Sequence, residues 1–400
     1  MRTPKRLIAF IAAVLLGPII SLSALAATDK KAVQEIRVGF IAYHPDQGPV
    51  LSNLLPEPAN RGFAGAELGL KDNNTTGRFL KQHYTLISKL ADSPEQTQQI
   101  VQQWFAEGLR LLITDLPTSQ LLAINQLALK YHAIVLNAGS YDDQLRTQAC
   151  LKNTLHTLPS RAMLTDALGQ WSNARRLKRW LLIKGSQPED LAYTEALKRS
   201  AKRFGLTIVA EKTWDFDTDL RRTAQRELPL FTQTDEYDLV VVADERGDFG
   251  EYVMYNTWYP RPVAGTQGLT PVAWHRVVEQ WGAAQLQSRF QAQSHRWMNS
   301  KDYAAWMAVR TLGEAVTQTK SSDAKTLFDF INSERFQLAA FKGRKLNYRQ
   351  WSGQLRQPIP LVQPRSLVAQ PPLDGFLHPV TDLDTLGFDQ PESNCKVSFL

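Results

Sequence analysis

The stretch that decides the fold is residues 93–136, SPEQTQQIVQQWFAEGLRLLITDLPTSQLLAINQLALKYHAIVL. It opens with Ser93 and Pro94 and carries Gln96 three positions after the serine, which is the pattern of a capped helix start. Gly108 is typical of a helix end. A strand, a second helix and another strand are indicated at residues 110–114, 119–131 and 133–136. This alternation predicts parallel strands joined by helical crossovers, the pattern of a doubly wound sheet.

The same alternation continues on both sides of this stretch. Further strands are predicted at residues 36–42, 84–88, 180–183, 206–210, 239–243 and 262–264. Helical patterns separate them, as in a βαβ series. The sequence therefore predicts an α/β protein with two doubly wound, Rossmann-like lobes joined by a hinge.

The N-terminus has the layout of a secretory signal peptide. A basic start is followed by an apolar stretch over residues 7–22, and Ala24 and Ala26 supply small residues at the two positions that a signal peptidase reads. A membrane anchor is the alternative, although the apolar run is shorter than a bilayer span. We predict that residues 1–26 form a signal peptide cleaved after Ala26, and that the mature chain is periplasmic.

Two lobes on one exported chain predict a cleft between them. Ligands of open parallel sheets bind beyond the carboxyl ends of the strands, and a hinge lets two such edges close on a small solute. We expect lobe one to comprise residues 36–156 plus about 277–343, and lobe two residues 160–266 plus about 346–370. Residues 371–400 are expected to form a C-terminal tail.

Composition and motifs argue against several classes of protein. The formal net charge is +7, but basic and acidic residues are interspersed, which is typical of a solvated surface rather than of a nucleic-acid interface. We expect a monomer with no nucleic-acid partner. The motifs of serine hydrolases, P-loop NTPases, zinc proteases and dinucleotide-binding enzymes are missing from the sequence. The chain is therefore expected to be no enzyme and to need no cofactor.

Two cysteines, Cys150 and Cys395, remain after the predicted signal peptide. An even number in an oxidising compartment favours a disulfide between them. Two separate thiols are the alternative. A catalytic pair is not expected, because the C-x-x-C spacing is absent.

Several stretches of the chain resemble type I periplasmic binding proteins of the branched-chain amino acid group. They are IRVGFIAYHP (36–45), GFAGAELGLKDNN (62–74), VQQWFAEGLRLLITDLPTSQ (101–120), AIVLNAGS (133–140) and LAYTEALKRSAKRFGLTIVAEKTW (191–214). A narrower resemblance is to ABC-transporter solute-binding proteins typically encoded beside PQQ-dependent alcohol dehydrogenases. It rests on LNAGSYDDQLR (136–146), VVVADERGDFGEYVMYNTWYPRPVAGTQGLTPVAWH (240–275) and FKGRKLNYRQWSGQLRQPIPLV (341–362).

The resemblance implies a protein that binds a small molecule or an ion and delivers it to an ABC transporter permease. The narrower group also implies a link to a quinoprotein dehydrogenase system. An alcohol-derived metabolite, PQQ or a lanthanide is then the candidate solute. The alternative from a different class is a ligand sensor or an accessory protein of that system that never delivers cargo.

The resemblance places ligand contacts of lobe one after its third and fourth strands. In amino-acid-binding relatives, hydroxyls and backbone amides hold a ligand carboxylate there, and the matching residues are Thr118, Ser119, Ala138 and Ser140. A helix start supports this, because its free N–H groups and dipole attract anions. Capping of that helix by Thr118 and Ser119 explains them equally well. Tyr43, at the end of the first strand, is expected to line the cleft.

In lobe two the resemblance points to Tyr193, although threonine replaces the glycine that follows it in relatives, and a core tyrosine is the alternative. Asp244 and Glu245 follow a predicted strand and would hold a ligand ammonium. Glu245 could instead pair with its neighbour Arg246 at the surface, where an ion pair contributes little. Thr266 completes the predicted ligand-binding residues.

Acidic groupings raise the question of a metal site. Residues 215–219, DFDTD, open like a calcium loop, but Leu220 stands where that loop has glycine and Arg226 where it has glutamate. Asp142 and Asp143 could supply oxygen ligands only if the lobes closed on a hard cation. We therefore expect no metal site.

Overall fold

The computed structural model describes residues 33–46, 48, 57–215 and 220–400, without the side chains of residues 220–223. The predicted signal peptide lies outside the described residues. So do residues 216–219 of the acidic stretch.

The first sheet has five parallel strands in the order β2-β1-β3-β4-β5. They are β1 (Gln34–Tyr43), β2 (Gln82–Ala91), β3 (Leu111–Asp115), β4 (Ile134–Asn137) and β5 (Thr154–His156). The first four confirm the strands predicted from apolar runs. The sequence does not predict β5, because three residues are too few to form a periodic pattern.

The helices of the first sheet are α1 (Phe63–Leu80), α2 (Pro94–Ala106), α3 (Thr118–Lys130) and α4 (Gln144–Thr147). Helix α2 begins as predicted, because the Ser93 side chain accepts a hydrogen bond from the Gln96 backbone N–H at 3.1 Å. Helix α3 begins differently: its N-cap is Pro117, and no side chain caps it. The capping alternative for Thr118 and Ser119 is therefore wrong.

The second sheet has four parallel strands in the order β7-β6-β8-β9. They are β6 (Arg179–Lys184), β7 (Thr207–Thr213), β8 (Leu239–Ala243) and β9 (Val263–Gly265). Its helices are α5 (Arg161–Ala174), α6 (Pro188–Arg203), α7 (Leu220–Thr232) and α8 (Gly250–Val253). The sequence does not predict α5. It is almost wholly buried, with polar Asp166 and Gln170 inside, and so lacks an apolar stripe.

The remaining elements are β10 (Thr270–Pro271), α9 (Ala283–Ser294), α10 (Ser300–Thr319), α11 (Ala324–Ile331), β11 (Leu338–Ala339), β12 (Lys345–Leu346), β13 (Leu361–Gln363) and β14 (Ser366–Ala369). Strands β10, β13 and β14 form a small antiparallel sheet, and β11 pairs with β12. Helix α10 packs on α1 of the first sheet. The contact is close: a Cβ atom at Gly65 would lie 1.8 Å from the Asp302 carbonyl oxygen.

Apolar clusters cover both faces of each sheet. Burial on both faces is the arrangement of doubly wound parallel sheets. The predicted α/β class with two such sheets is confirmed. The assignment of residues to the two lobes stays a prediction.

Two of the chain segments that lead from one sheet to the other lie side by side. The first connection, residues 157–160, leads from β5 to α5, and the return connection, residues 347–360, leads from β12 to β13. They meet at His156, the last residue of β5, whose backbone N–H donates to the Gly353 oxygen at 2.8 Å and whose oxygen accepts from the Leu355 N–H at 2.9 Å. We call these paired connections the hinge.

The C-terminal residues contact the cores of both sheets. Leu386 packs in the core of the second sheet and Val397 in that of the first. A disulfide joins Cys150 to Cys395. The predicted tail therefore spans both halves of the molecule. None of the helices in the described part of the chain has the length and hydropathy needed to cross a bilayer.

Candidate functional site

The carboxyl ends of β1 and β3 hold a buried ion cluster. Asp115, the last residue of β3, is 1% exposed. Its carboxylate accepts hydrogen bonds from His44 Nε2 at 3.0 Å, Arg61 Nε at 3.0 Å and Lys301 Nζ at 3.1 Å. These donors come from the end of β1, from the residues before α1 and from the first turn of α10. We call Asp115, His44, Arg61 and Lys301 the Asp115 cluster.

The Asp115 cluster carries a positive excess. Burial alone would raise the pKa of Asp115, but Lys301, the hydrogen bond from His44 and the charge of Arg61 outweigh it and hold the pKa well below its usual range. The ionised carboxylate thus faces a guanidinium and an ammonium group. Arg61 also lies 3.8 Å from Glu57, whose side chain is 62% exposed, so that contact neutralises Arg61 only weakly.

Two of the predicted hydroxyls come together next to this cluster. Thr118 Oγ1 lies 2.8 Å from Ser140 Oγ and donates to Asp142 Oδ2 at 3.1 Å. Ser140 is 7% exposed. The structure therefore joins predicted residues of the third and fourth strand ends, with a carboxylate of the chain itself beside them.

Side-chain hydrogen bonds fix the loop that carries Ser140, which comprises residues 138–143 between β4 and α4. The Asn137 side chain donates to the Ser140 carbonyl oxygen at 2.9 Å and accepts from the Ser140 N–H at 2.9 Å. Arg146 donates to the carbonyl oxygens of Ser140 at 3.1 Å and Asp142 at 2.8 Å. We call this segment the β4–α4 loop.

At the carboxyl edge of the second sheet, Asp244 and Thr266 organise the backbone. The Asp244 carboxylate accepts backbone N–H groups of Asp248 at 2.8 Å, Phe249 at 2.9 Å and Gly250 at 2.6 Å. The Thr266 hydroxyl accepts the Asp244 N–H at 3.0 Å and donates to the Val242 oxygen at 3.2 Å. Ligand contact by these two residues stays a prediction.

Glu245 pairs with a residue other than its sequence neighbour. Arg161 Nε and Nη2 donate to its two carboxylate oxygens, each at 2.7 Å, in a bidentate pair. Arg246 instead lies 3.5 Å from Asp248, so the surface pair of Glu245 with Arg246 is wrong. Arg161 is the first residue of α5, which explains why strand-end reasoning does not find it.

Behind this pair lies a second buried carboxylate. Asp190 is 2% exposed and accepts the Glu245 backbone N–H at 2.7 Å. Burial, together with the negative charges of Asp244 and Glu245, raises the pKa of Asp190 to about 7, although its backbone hydrogen bonds oppose this. The second edge is therefore rich in acidic groups.

Tyr141 connects the two edges. Its ring packs against the cores of both sheets, and its carbonyl oxygen accepts the Arg161 N–H at 2.9 Å. Burial raises its pKa, as do the negative charges of Glu57, Glu245 and Asp115. The charges of Asp115, at the first edge, and of Glu245, at the second, therefore both act on the Tyr141 hydroxyl.

The other predicted residues occupy less polar positions. The Tyr43 ring packs on the core beside α2 and α3, and Ala138 is 1% exposed. Ser119 is exposed on the first turn of α3. Tyr193 is 3% exposed in the core of the second sheet, within electrostatic range of Glu245. Its surroundings favour the core alternative, and ligand contact by these four residues stays a prediction.

Sequence reasoning missed most of the charged site residues, namely Arg61, Asp115, Arg161, Asp190 and Lys301. The strand-end position of Asp115 could have indicated it. Its partners Arg61 and Lys301 lie 54 and 186 residues away, and no local pattern marks them. Among the described residues, no group of three His, Cys, Asp or Glu side chains is arranged to hold a metal ion.

Comparison with known proteins shows what the chain is similar to. Residues 35–226 match the family model of periplasmic binding proteins. A sequence search of curated proteins finds no match. Solved structures that cover 91% and 90% of this chain show that its fold is that of a type I periplasmic binding protein.

Three of these structures illustrate the similarity. A branched-chain amino acid ABC transporter periplasmic ligand-binding protein from Burkholderia xenovorans is 16% identical, with a TM-score of 0.71 over 90% of this chain and 99% of its own. An R. palustris solute-binding protein in complex with benzoate is 12% identical, with a TM-score of 0.65 over 91% and 100%. An ABC transporter substrate-binding protein of Desulfitobacterium hafniense in complex with Leu is 15% identical, with a TM-score of 0.63 over 84% and 100%.

Proposed function

We propose that this chain is the periplasmic solute-binding component of an ABC transporter and captures a small solute between the carboxyl edges of its two sheets. The observation that carries the proposal is the position of Tyr141, whose ring packs against the cores of both sheets and whose carbonyl oxygen accepts the N–H of Arg161, the partner of Glu245. The charges of Asp115 and Glu245 both act on its hydroxyl. Polar groups at the ends of parallel strands are where such folds bind ligands. A membrane permease is then the partner that receives the solute.

The charge of the first edge indicates the chemistry of the ligand. Arg61 and Lys301 share one buried carboxylate, and their side chains stay 17% and 20% exposed. A ligand carboxylate there would meet a positive excess and nearby hydroxyl donors. The leucine and benzoate that neighbouring structures bind both carry a carboxylate, which supports this class.

Thermal shift against a panel of solutes tests the proposal. The panel comprises L-leucine, benzoate, alcohol-derived carboxylic acids, PQQ and lanthanide salts. A ligand at one hundred times its Kd stabilises the folded protein by about 2.7 kcal/mol, which is a clear shift in melting temperature. A panel without any shift, or steady consumption of the solute, would contradict solute capture.

A pair of lysine variants then locates the bound ligand. Lys301→Met removes one charge of the Asp115 cluster and is expected to weaken the binding of a carboxylate at least tenfold by calorimetry. Lys325→Met is the control, because Lys325 is exposed and pairs with Asp329 on α11. Equal affinities of the two variants would place the ligand elsewhere.

We further propose that this transporter serves PQQ-dependent alcohol oxidation. The support is the resemblance of residues 136–146, 240–275 and 341–362 to proteins of such systems. An alcohol-derived acid or PQQ should then shift the melting temperature more than L-leucine does. Co-purification with a permease from membranes separates a transporter component from a sensor or an accessory protein, which would bind the solute without that partner.

A further inference from the structure

One buried arginine links the β4–α4 loop to the hinge. Arg146 is 2% exposed, and its guanidinium donates four hydrogen bonds. The acceptors are Gln354 Oε1 at 2.9 Å, the Ser140 oxygen at 3.1 Å, the Asp142 oxygen at 2.8 Å and the Leu158 oxygen at 3.0 Å. Two acceptors belong to the loop, one to the first connection and one to the return connection. None of these four oxygens carries a formal charge.

Gln354 completes the link on the hinge side. It is 1% exposed, and its amide Nε2 lies 3.2 Å from the His156 oxygen, 3.1 Å from the Leu158 oxygen and 3.1 Å from the Leu355 oxygen. The Leu158 oxygen thus accepts from both Arg146 and Gln354. The two side chains therefore bond the first connection to the return connection and to the β4–α4 loop at one point.

The loop is also bonded to the start of α5. The Arg161 N–H donates to the Tyr141 oxygen at 2.9 Å, and the Ala162 N–H donates to Asp143 Oδ1 at 3.0 Å. Helix α5 carries Arg161, which holds Glu245 of the second edge. Movement of the loop against the hinge would have to break several buried hydrogen bonds together.

Burial lowers the pKa of Arg146 to about 10, although the charges of Asp143 and Asp142 oppose this. Burying this guanidinium therefore costs free energy, and a role in stability alone explains Arg146 poorly. We propose that Arg146 is a positioning residue that, through Gln354, couples ligand occupancy of the β4–α4 loop to the angle between the two sheets. This inference rests on the proposed function for the presence of a ligand. The coupling itself requires only the bonded network, and a coupling of this kind typically changes affinity by 5- to 150-fold.

A first test needs no ligand. Arg146→Met and Gln354→Leu each remove one side chain of the link. Arg146→Lys keeps the positive charge but lacks the planar set of N–H donors of a guanidinium. Arg310→Met is the control. Arg310 is a partly buried arginine on α10 that bonds Asn73 on α1, away from the loop. Hydrogen exchange by mass spectrometry follows peptides that cover residues 138–146 and 157–163. Spin labels at Thr76→Cys and Lys202→Cys report the distance between the halves.

We expect Arg146→Met to raise the exchange rate of both peptides at least tenfold and to broaden the distance distribution. Arg310→Met should lower the melting temperature without either change, and Arg146→Lys should restore part of the protection. The effects of Arg146→Met and Gln354→Leu should be less than additive in the double variant, because the residues share one link. Exchange and distances in Arg146→Met that match those of Arg310→Met would overturn the proposal.

A second test uses L-leucine and benzoate as probes. Arg146→Met should bind the probe that the wild type binds with at least tenfold lower affinity. The change in the distance between the two spin labels on ligand binding should also be smaller than in the wild type. If Arg146→Met keeps the affinity and the ligand-induced distance change of the wild type, the proposed coupling is overturned, whereas solute binding itself is not. If neither probe binds the wild type at millimolar concentration, the alcohol-derived acids and PQQ of the thermal-shift panel replace them, and the carboxylate ligand of the proposed function fails if none of these solutes binds. The ligand-free test still decides whether Arg146 positions the loop.

Discussion

The carboxyl edges of the two sheets have the same topology and opposite electrostatics. At the first edge, Asp115 lies among three nitrogen donors and its pKa is lowered. At the second edge, Asp190 lies beside Asp244 and Glu245, and its pKa is raised to about 7. Both carboxylates are buried, so burial does not distinguish them. The charges around a strand end, supplied by remote segments, therefore decide how easily its acids ionise.

The largest expected effect comes from removing the acid of the first edge. Asp115→Asn leaves Lys301 and Arg61 next to each other without a countercharge, and breaking a buried ion pair from one side costs about 3 kcal/mol. The folded-state pKa is depressed, so this stabilisation is complete above pH ~4 and is lost as the pH falls through the folded pKa. Urea unfolding at pH 7 measures the loss.

Glu57→Gln is the matched control for that experiment. Glu57 contacts the same Arg61 from solvent, with its side chain 62% exposed, and an exposed pair contributes about 0.5 kcal/mol or less. A loss in Glu57→Gln as large as that in Asp115→Asn would mean that the cluster is held from its surface rather than from its buried acid.

The two edges also differ in which of their residues can be predicted from the sequence. Strands such as β3 and β8 are predictable because a short apolar run bounded by polar residues is typical of a buried strand. Asp244 and Glu245 are predictable as edge residues for the same reason. Arg161 is not, because α5 lacks an apolar stripe and a helix start alone does not indicate which acid it will meet. The fold follows from local pattern, whereas the charges of the site arise from contacts between distant segments.

Removing the acid of the second edge should have an effect of the opposite sign. The pKa of Asp190 is raised in the folded state, so that state binds a proton more tightly than the unfolded chain between pH ~4 and about 7. Stability of the wild type should therefore fall as the pH rises through this window. Asp190→Asn should remove that slope, because an amide side chain does not titrate in this range. Unfolding by urea at pH 5, 6.5 and 8 measures it.

Asp323→Asn provides the contrasting control. Asp323 caps α11, and its hydrogen bonds from Thr326 lower its pKa. Its stabilising contribution is present above pH ~4 and lost as the pH falls below that value, so the slope between pH 5 and 8 should not change. A wild type whose stability is constant over this range would show that Asp190 is already ionised at pH 5.

A smaller effect is expected at the rim of the first edge. His44→Ala removes one of the three donors to Asp115, while Arg61 and Lys301 remain. A hydrogen bond to a charged group contributes about 1.5 kcal/mol or more. The loss should be smaller here, because the Asp115 carboxylate keeps two other donors. We expect a loss of about 1 kcal/mol in urea unfolding at pH 7. A loss of stability as large as that of Asp115→Asn would show that His44, rather than Arg61 and Lys301, stabilises the ionised Asp115 carboxylate.

The smallest effect on stability is expected between the edges, where Tyr141→Phe keeps the ring that packs against both cores and removes only the hydroxyl. The free energy of unfolding should change by about 0.5 kcal/mol or less, which is usual when packing is preserved. Affinity for a carboxylate solute should nevertheless fall, because the variant loses a hydrogen-bond donor on a ring that packs against both sheets. Calorimetry on Tyr141→Phe and on Tyr193→Phe separates the two positions, since Tyr193 is buried in the core of one sheet only. Equal losses of affinity would mean that the Tyr141 hydroxyl contributes no more to binding than a hydroxyl inside one core, and therefore that the ligand does not contact it.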